Sequence, residues 1–334
     1  MDEEEKRRLQ KGLKALNKQS DYIASSTKDT SVINSRINNT SWKQLVSHPI
    51  TIMQLSLPRE NPNDVTELAV RNGETELLLV SGKIKSNGSI KPVYLPYGWF
   101  SRYVLLWIND NIRTTGNRSI YFGSSDAEKL GKMGLGRQTT HYANLKEQMP
   151  RLFNLTVNIN SIYPEENVGD EKLFPYQGKG ERLEKLSLID IVDGFAKKTS
   201  DGKKFRMIVS AKLYDSILSY PLPINMEHVN VLRRNGSTYN LDIYALLAEK
   251  LHKIPENKPL SIERDDIEDM FFPNHDSKRR GTLYNEKFKP ALEKVKEVYD
   301  TANVEFSKKG LILHNSPAPA SLENHVHTGL LPKL

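Results

Sequence analysis

The apolar positions between residues 238 and 314 follow one short succession of periods. Leu241, Tyr244, Ala245, Ala248 and Leu251 recur at steps of three and four, which is one face of an amphipathic helix. The stretch 259–263, Pro-Leu-Ser-Ile-Glu, is too short and too punctuated for a helix and predicts a strand. Residues 265–271 predict a second helix, with Asp265 and Asp266 at its positive end. Lys278, Arg279 and Arg280 then lead into a third helix, whose apolar face is Tyr284, Phe288, Ala291, Leu292, Val295, Val298 and Tyr299. Residues 304–306 and 311–313 predict two short strands joined by the turn Ser307-Lys308-Lys309-Gly310.

The same succession occurs earlier in the chain. Phe100, Tyr103, Val104, Trp107, Ile108 and Ile112 form a helical face, and 119–122 a short strand. Residues 124–130 form a capped second helix. A third helix from about 138 to 153 carries Tyr142, Leu145, Met149, Leu152 and Phe153 inward. Arg137, Gln138, Thr140, His141 and Asn144 are left for its other face. Strands are expected at 155–162, 186–192 and 205–213. Between the last two, an Asp-Gly tip is flanked by Lys197, Lys198, Lys203 and Lys204. Helix, short strand, helix, helix and basic hairpin is the order of a winged helix-turn-helix. The expected fold is therefore α+β, two tandem winged helix-turn-helix domains with a flexible N-terminal extension.

The expected boundaries follow. Residues 1–45, polar apart from a stripe of Leu9, Leu13 and Leu16, read as a partly disordered tail. Residues 46–222 make the first winged domain with its long basic wing, 223–315 the second, and 316–334 a C-terminal tail. Apolar stretches at 50–57 and 76–84, around the loop 58–64, read as strands, or a strand and a helix, padding the first domain.

Charge sharpens this picture by its placement. The 334 residues carry 48 Lys+Arg against 41 Asp+Glu, a formal +7, which favours acidic partners of which nucleic acid is the commonest. In both units the cations gather where the third helix begins and at the hairpin tip, the places from which a winged helix touches groove and backbone. The expected DNA contacts are Arg137, Gln138, Thr140, His141, Asn144, Lys197, Lys198, Lys203 and Lys204 in the first unit. In the second they are Lys278, Arg279, Arg280, Tyr284, Asn285, Lys287, Lys308 and Lys309. Side chains of these types read base edges or phosphates.

Catalytic chemistry is not expected. With no cysteine there is no disulfide, thiolate nucleophile or Cys-ligated zinc. No apolar run approaches a membrane span and the N-terminus lacks a signal peptide's apolar core, so the expectation is a cytoplasmic protein without membrane contact. Residues 131–138 come close to a phosphate-binding loop, but Arg137 and Gln138 stand where Lys and Ser/Thr are needed. His325 and His327 have the spacing of a nickase metal pair but sit in the expected tail. No cofactor, metal or enzymatic activity is expected.

The residues also carry a resemblance. Val93-Tyr94-Leu95-Pro96-Tyr97-Gly98, Leu105-Leu106-Trp107-Ile108, Ile112-Arg113 and 145–153 resemble plasmid replication initiators of the RepA type. So do 241–252 and Gly310-Leu311-Ile312-Leu313 before Ser316-Pro317-Ala318-Pro319. The resemblance implies a protein that binds direct repeats (iterons) of double-stranded DNA at an origin and helps to open the duplex. It also implies recruitment of the host helicase and initiator proteins, and repression of its own promoter. It further implies a first winged domain able to pair with itself, hence a homodimer. The readings that compete with it are a tandem winged-helix repressor and a rolling-circle nickase. Pro150 and Pro290 depart from the pattern, since an internal proline costs a helix on the order of 3 kcal/mol and should kink it or delay its start.

Overall fold

His48 begins the first helix described: its Nδ1 accepts the Ile50 N–H at 3.2 Å and Pro49 follows at the first helical position, so α1 runs Pro49–Ser56. The structure, a computed structural model, describes residues 48–72, 75–86, 88–163, 180–193, 205–273 and 275–320. The expected tail 1–45 and the segment 321–334 therefore lie outside the described residues. Stretch 50–57 is thus helical as far as Ser56, with Leu57 already extended, and α1 buries polar Thr51 and Gln54 as well as Ile50, Met53 and Leu55.

Two hairpins follow, β1 Glu67–Asn72 with β2 Thr75–Ser81, and β3 Lys83–Ser86 with β4 Ser89–Pro92. Then come α2 Gly98–Thr115, β5 Ser119–Gly123, α3 Asp126–Lys132, α4 Thr139–Phe153, β6 Leu155–Tyr163, β7 Gly180–Ser187, β8 Ile189–Asp193 and β9 Phe205–Val209. The strand expected at 186–192 is divided: β7 ends at Ser187 and β8 begins at Ile189 in another sheet. The strand expected at 205–213 stops at Val209. Ser210 caps a helix instead, its Oγ accepting the Leu213 N–H at 3.3 Å, and α5 runs Ala211–Ser219.

After α6 Met226–Leu232 the second unit begins with α7 Thr238–Lys250, followed by β10 Leu260–Glu263, α8 Arg264–Phe271 and α9 Ser277–Leu283. A π-helical turn, Tyr284–Phe288, then leads into α10 Lys289–Val298, β11 Val304–Phe306 and β12 Gly310–Leu313. The turn answers the problem of Pro290. The Lys289 N–H reaches back to Tyr284 O, five residues away, so the helix is widened where the proline ring would press on a carbonyl of the preceding turn. Pro150 sits near the end of an unbroken α4.

The two units repeat one plan. The antiparallel sheets have orders β5-β9-β8 and β10-β12-β11: the strand between the first two helices lies at one edge and the last strand of the hairpin in the middle. In the first unit β6 and β7 are inserted before the hairpin and join β1 and β2 in a four-stranded antiparallel sheet, order β1-β2-β6-β7. The architecture is α+β, and the buried apolar residues of both units form one continuous cluster. At the expected boundary of 222–223 the chain is inside it, with Leu222 O accepting from Asn109 Nδ2 and Arg113 Nη1, both at 3.0 Å.

Between the units lies a buried ion pair. Arg102 Nε on α2 donates to Asp242 Oδ1 on α7 at 2.7 Å, with neither side chain exposed. Arg59 reaches the other carboxylate oxygen at 3.0 Å, and Arg102 also donates to the carbonyls of Leu57, Pro58 and Gly98. Burial pulls the Arg102 guanidinium below its usual pKa, and the Asp242 carboxylate opposes that pull. One cluster therefore ties the end of α1 and its loop to the first helix of each unit.

His48 gives the fold a pH dependence. Burial lowers its pKa from 6.5 to about 4, against the pull of Glu249 and with help from Lys253 and Arg113. Its Nδ1 is an acceptor in the helix cap, so protonation would also remove the cap. The unfolded chain takes up a proton near pH 6.5 that the folded chain refuses until about 4. The stability due to a neutral His48 is therefore complete above 6.5 and falls by about 3 kcal/mol as the pH drops through this window. Urea denaturation should show this dependence shrinking by most of that amount in His48→Asn, which keeps a cap acceptor but does not titrate. Equal pH profiles would refute the assignment.

Candidate nucleic-acid interface

The third helices are built differently from the second ones. α3 and α8 begin with acids, Asp126 with Glu128 and Asp265 with Asp266, which suit the positive end of a helix. α4 and α9 have no acid in the first turn; Lys278 and Arg279 stand in that of α9, and Arg137 stands just before the N-cap Gln138 of α4. Like charges at a helix start cost a few tenths of a kcal/mol, a cost that an external anion reverses.

In the second unit Lys278 and Arg279 are exposed at the start of α9, where the Asp276 carboxylate caps the helix by accepting the Arg279 N–H at 2.9 Å. Among the described residues the Arg279 guanidinium has no ion-pair partner. Arg280 is held back by a salt bridge to Asp269 on α8. Asn285 and Lys287 are exposed, the amide of Asn285 donating to Gly281 O at 2.9 Å. Lys308 and Lys309 are exposed in the β11–β12 turn, and Lys309 O accepts the Arg264 N–H at 2.7 Å, so the turn is pinned to the start of α8.

Tyr284 is not available to a ligand. It is 2% exposed, stacked on Phe288 at 5.2 Å, with the Arg264 guanidinium 4.7 Å from its ring centre. Its place in the apolar run of the helix decided this, and its role is packing.

In the first unit Arg137, Gln138 and Thr140 are exposed at the start of α4, and Asn144 is half-buried one turn on. His141 is turned inward, 6% exposed, its Nδ1 2.8 Å from Gly136 O and its ring edge-on to Trp99 at 5.7 Å. It fixes the entry to α4 and does not face a ligand. Lys197, Lys198, Lys203 and Lys204 lie outside the described residues. The glycine-rich 131–138 joins α3 to α4, with no strand before it.

Sequence reasoning missed Lys146, exposed on α4, and Lys83 and Lys91, exposed on the β3–β4 hairpin. Asn87-Gly88 between two β-prone runs was the available signal for that hairpin. His325 and His327 lie outside the described residues. Among the described residues no group of three or more His, Cys, Asp or Glu could hold a metal ion, and no helix is long and apolar enough to cross a membrane.

The class so defined is an α+β chain in which one five-element unit occurs twice, each time with exposed cations where its third helix begins. No protein-family model matches the chain, and no curated protein matches it. Among solved structures it is similar to a selenomethionine derivative of domains 2 and 3 of RctB, at 8% identity and TM-score 0.45 over 77% of this chain and 86% of that one. It is also similar to a second crystal structure of RctB domains 2–3, at 8% identity and TM-score 0.41 over 78% and 94%.

Proposed function

We propose that this chain is a plasmid-type replication initiator with two tandem winged helix-turn-helix domains, which binds direct repeats of duplex DNA at an origin in the bacterial cytoplasm. The observation that carries the reading is the twice-built unit whose third helix begins with exposed cations, Arg137 in one copy and Lys278 with Arg279 in the other. α4 and α9 enter successive major grooves, and the β8–β9 and β11–β12 hairpins lie against phosphates as wings. Two such domains in one monomer span about two helical turns, which suits direct repeats of about 20 base pairs. By the resemblance to RepA-type initiators, the chain helps to open the duplex, recruits host helicase and initiator proteins, represses its own promoter and exchanges between monomer and homodimer. It does this by binding, without a catalytic centre, metal or cofactor.

Arg279 is the residue for base reading, because Arg280 is engaged by Asp269 and Tyr284 is in the core. An arginine can donate two parallel hydrogen bonds to guanine O6 and N7, a geometry that lysine cannot copy. Arg279→Lys should cost about 1–3 kcal/mol on the preferred duplex and little on a scrambled one at the same salt concentration. Equal losses on both would move base reading to Arg137, Gln138 and Asn144.

A further inference from the structure

The β3–β4 hairpin has no role in the fold just described. Its two strands pair with each other and, among the described residues, with no further strand. Every residue of β4 is exposed, Ile90 at 70%, and Ile84 on β3, which the register sets on the other face of the ribbon, is 39% exposed. Such exposure of isoleucine on a two-stranded ribbon, itself marginally stable in water, calls for a partner.

Its charge says which partner. Lys83, Lys85 and Lys91 lie on the hairpin, and no acidic residue occurs from 82 to 96. The register sets Ile84 opposite Lys91 and Ile90 opposite Lys85, so each isoleucine has a cationic residue as its cross-strand neighbour. An uncharged apolar groove would match the isoleucines alone, whereas the edge of a DNA minor groove presents phosphates beside the apolar faces of bases and sugars.

Its position fits the same partner. Gly82 N–H donates to Asn154 O at 3.0 Å, just past the end of α4, and Val93 N–H closes the base of the hairpin on Gly82 O at 3.0 Å. Arg151 of α4 donates to Leu95 O at 3.0 Å. The hairpin is thus held at the far end of the helix whose start carries Arg137. The 15 residues of α4 are about 22 Å long, close to the roughly 17 Å half-turn separating a major groove from the next minor groove.

We propose that the β3–β4 hairpin is a third DNA-contacting element, a basic arm whose lysines meet phosphates and whose Ile90 wedges into the minor groove beside the α4 site. This rests on the DNA-binding reading above and adds a contact that reading does not contain. A wedge of this kind partly unstacks a base step and bends the duplex.

The test uses the full chain and a duplex of about 40 base pairs that it enriches from a random pool, long enough for both units and a flank. Ile90→Ser should bind about tenfold more weakly. Its salt slope should be unchanged, and energy transfer between dyes on the duplex ends should report a straighter complex. Lys83→Ala, on the same face of the ribbon as Ile90, should lower the log–log salt slope by about 0.9. Both changes are at exposed positions, so thermal midpoints should match the parent; Ile84→Ser provides an apolar variant on the other face. If the parent binds its duplex and all variants match it in affinity, slope and bend, the hairpin does not touch DNA and the proposal falls while the DNA-binding reading stands. If the parent enriches no duplex, both fall.

Discussion

Asp242→Ala should be the most damaging single change in the described core, lowering stability by about 3–5 kcal/mol in denaturant titrations followed by tryptophan fluorescence. Among the described residues its carboxylate is the only anion in contact with Arg102, and it also holds Arg59, so its removal leaves a fully buried guanidinium with carbonyl acceptors but no counter-charge. Replacing both members together, Arg102→Met with Asp242→Leu, should recover much of the loss, because a buried pair is worth far less than the cost of breaking it. The single change should also weaken DNA binding that needs both units at a fixed spacing, since the pair joins α2 to α7. A loss below about 1 kcal/mol would mean that water reaches Arg102 and that the pair does not set this spacing.

Gly310→Ala should come next, at roughly 3 kcal/mol from crowding and backbone strain together. Gly310 has φ +153 and pairs with Glu263 across the β10–β12 ladder. A Cβ there would lie 2.0 Å from Ile262 O and 2.7 Å from Arg264 N, and backbone atoms of a paired strand cannot withdraw. Gly88→Ala is the comparison, since Gly88 also has a positive φ, +80, but open space around its Cβ. It should cost only about 1 kcal/mol. Equal melting midpoints for the two variants would show that strain, and not contact with β10, fixes glycine at 310.

Sequence periodicity located α2, α4, α7 and the two short edge strands because each presents a one-sided apolar face to one core. It failed where the chain turns between layers without a change of hydropathy. Residues 205–213 read as one apolar run, yet Ser210 divides it. A serine can cap a helix or sit in a strand, and the choice here rests on Leu213 and Ile217 being buried by the packed helices. The break at Leu188 has the same origin: its carbonyl accepts the Ser210 N–H at 3.1 Å, where the sheets change over.

The candidate interface was legible in its charges and not in its aromatic and imidazole members. Exposed Arg137, Lys278 and Arg279 stand as the clusters suggested. His141 and Tyr284 went inward, each held by a partner distant in sequence, Trp99 and Arg264 respectively. The engagement of Arg280 by Asp269 and of Arg102 by Asp242 was equally hidden, because sequence distance, 140 residues in the second case, says nothing about proximity.

The central claim is that one chain carries two DNA-reading units side by side. Hydroxyl-radical footprinting of the monomeric full chain on a duplex enriched from random DNA tests it most directly. The account predicts two protected segments on one face of the duplex, centred one to two helical turns apart, roughly 10 to 20 base pairs. Arg279→Lys should weaken one segment before the other. A single short protected segment, or no enrichment of any duplex over random DNA, would contradict it.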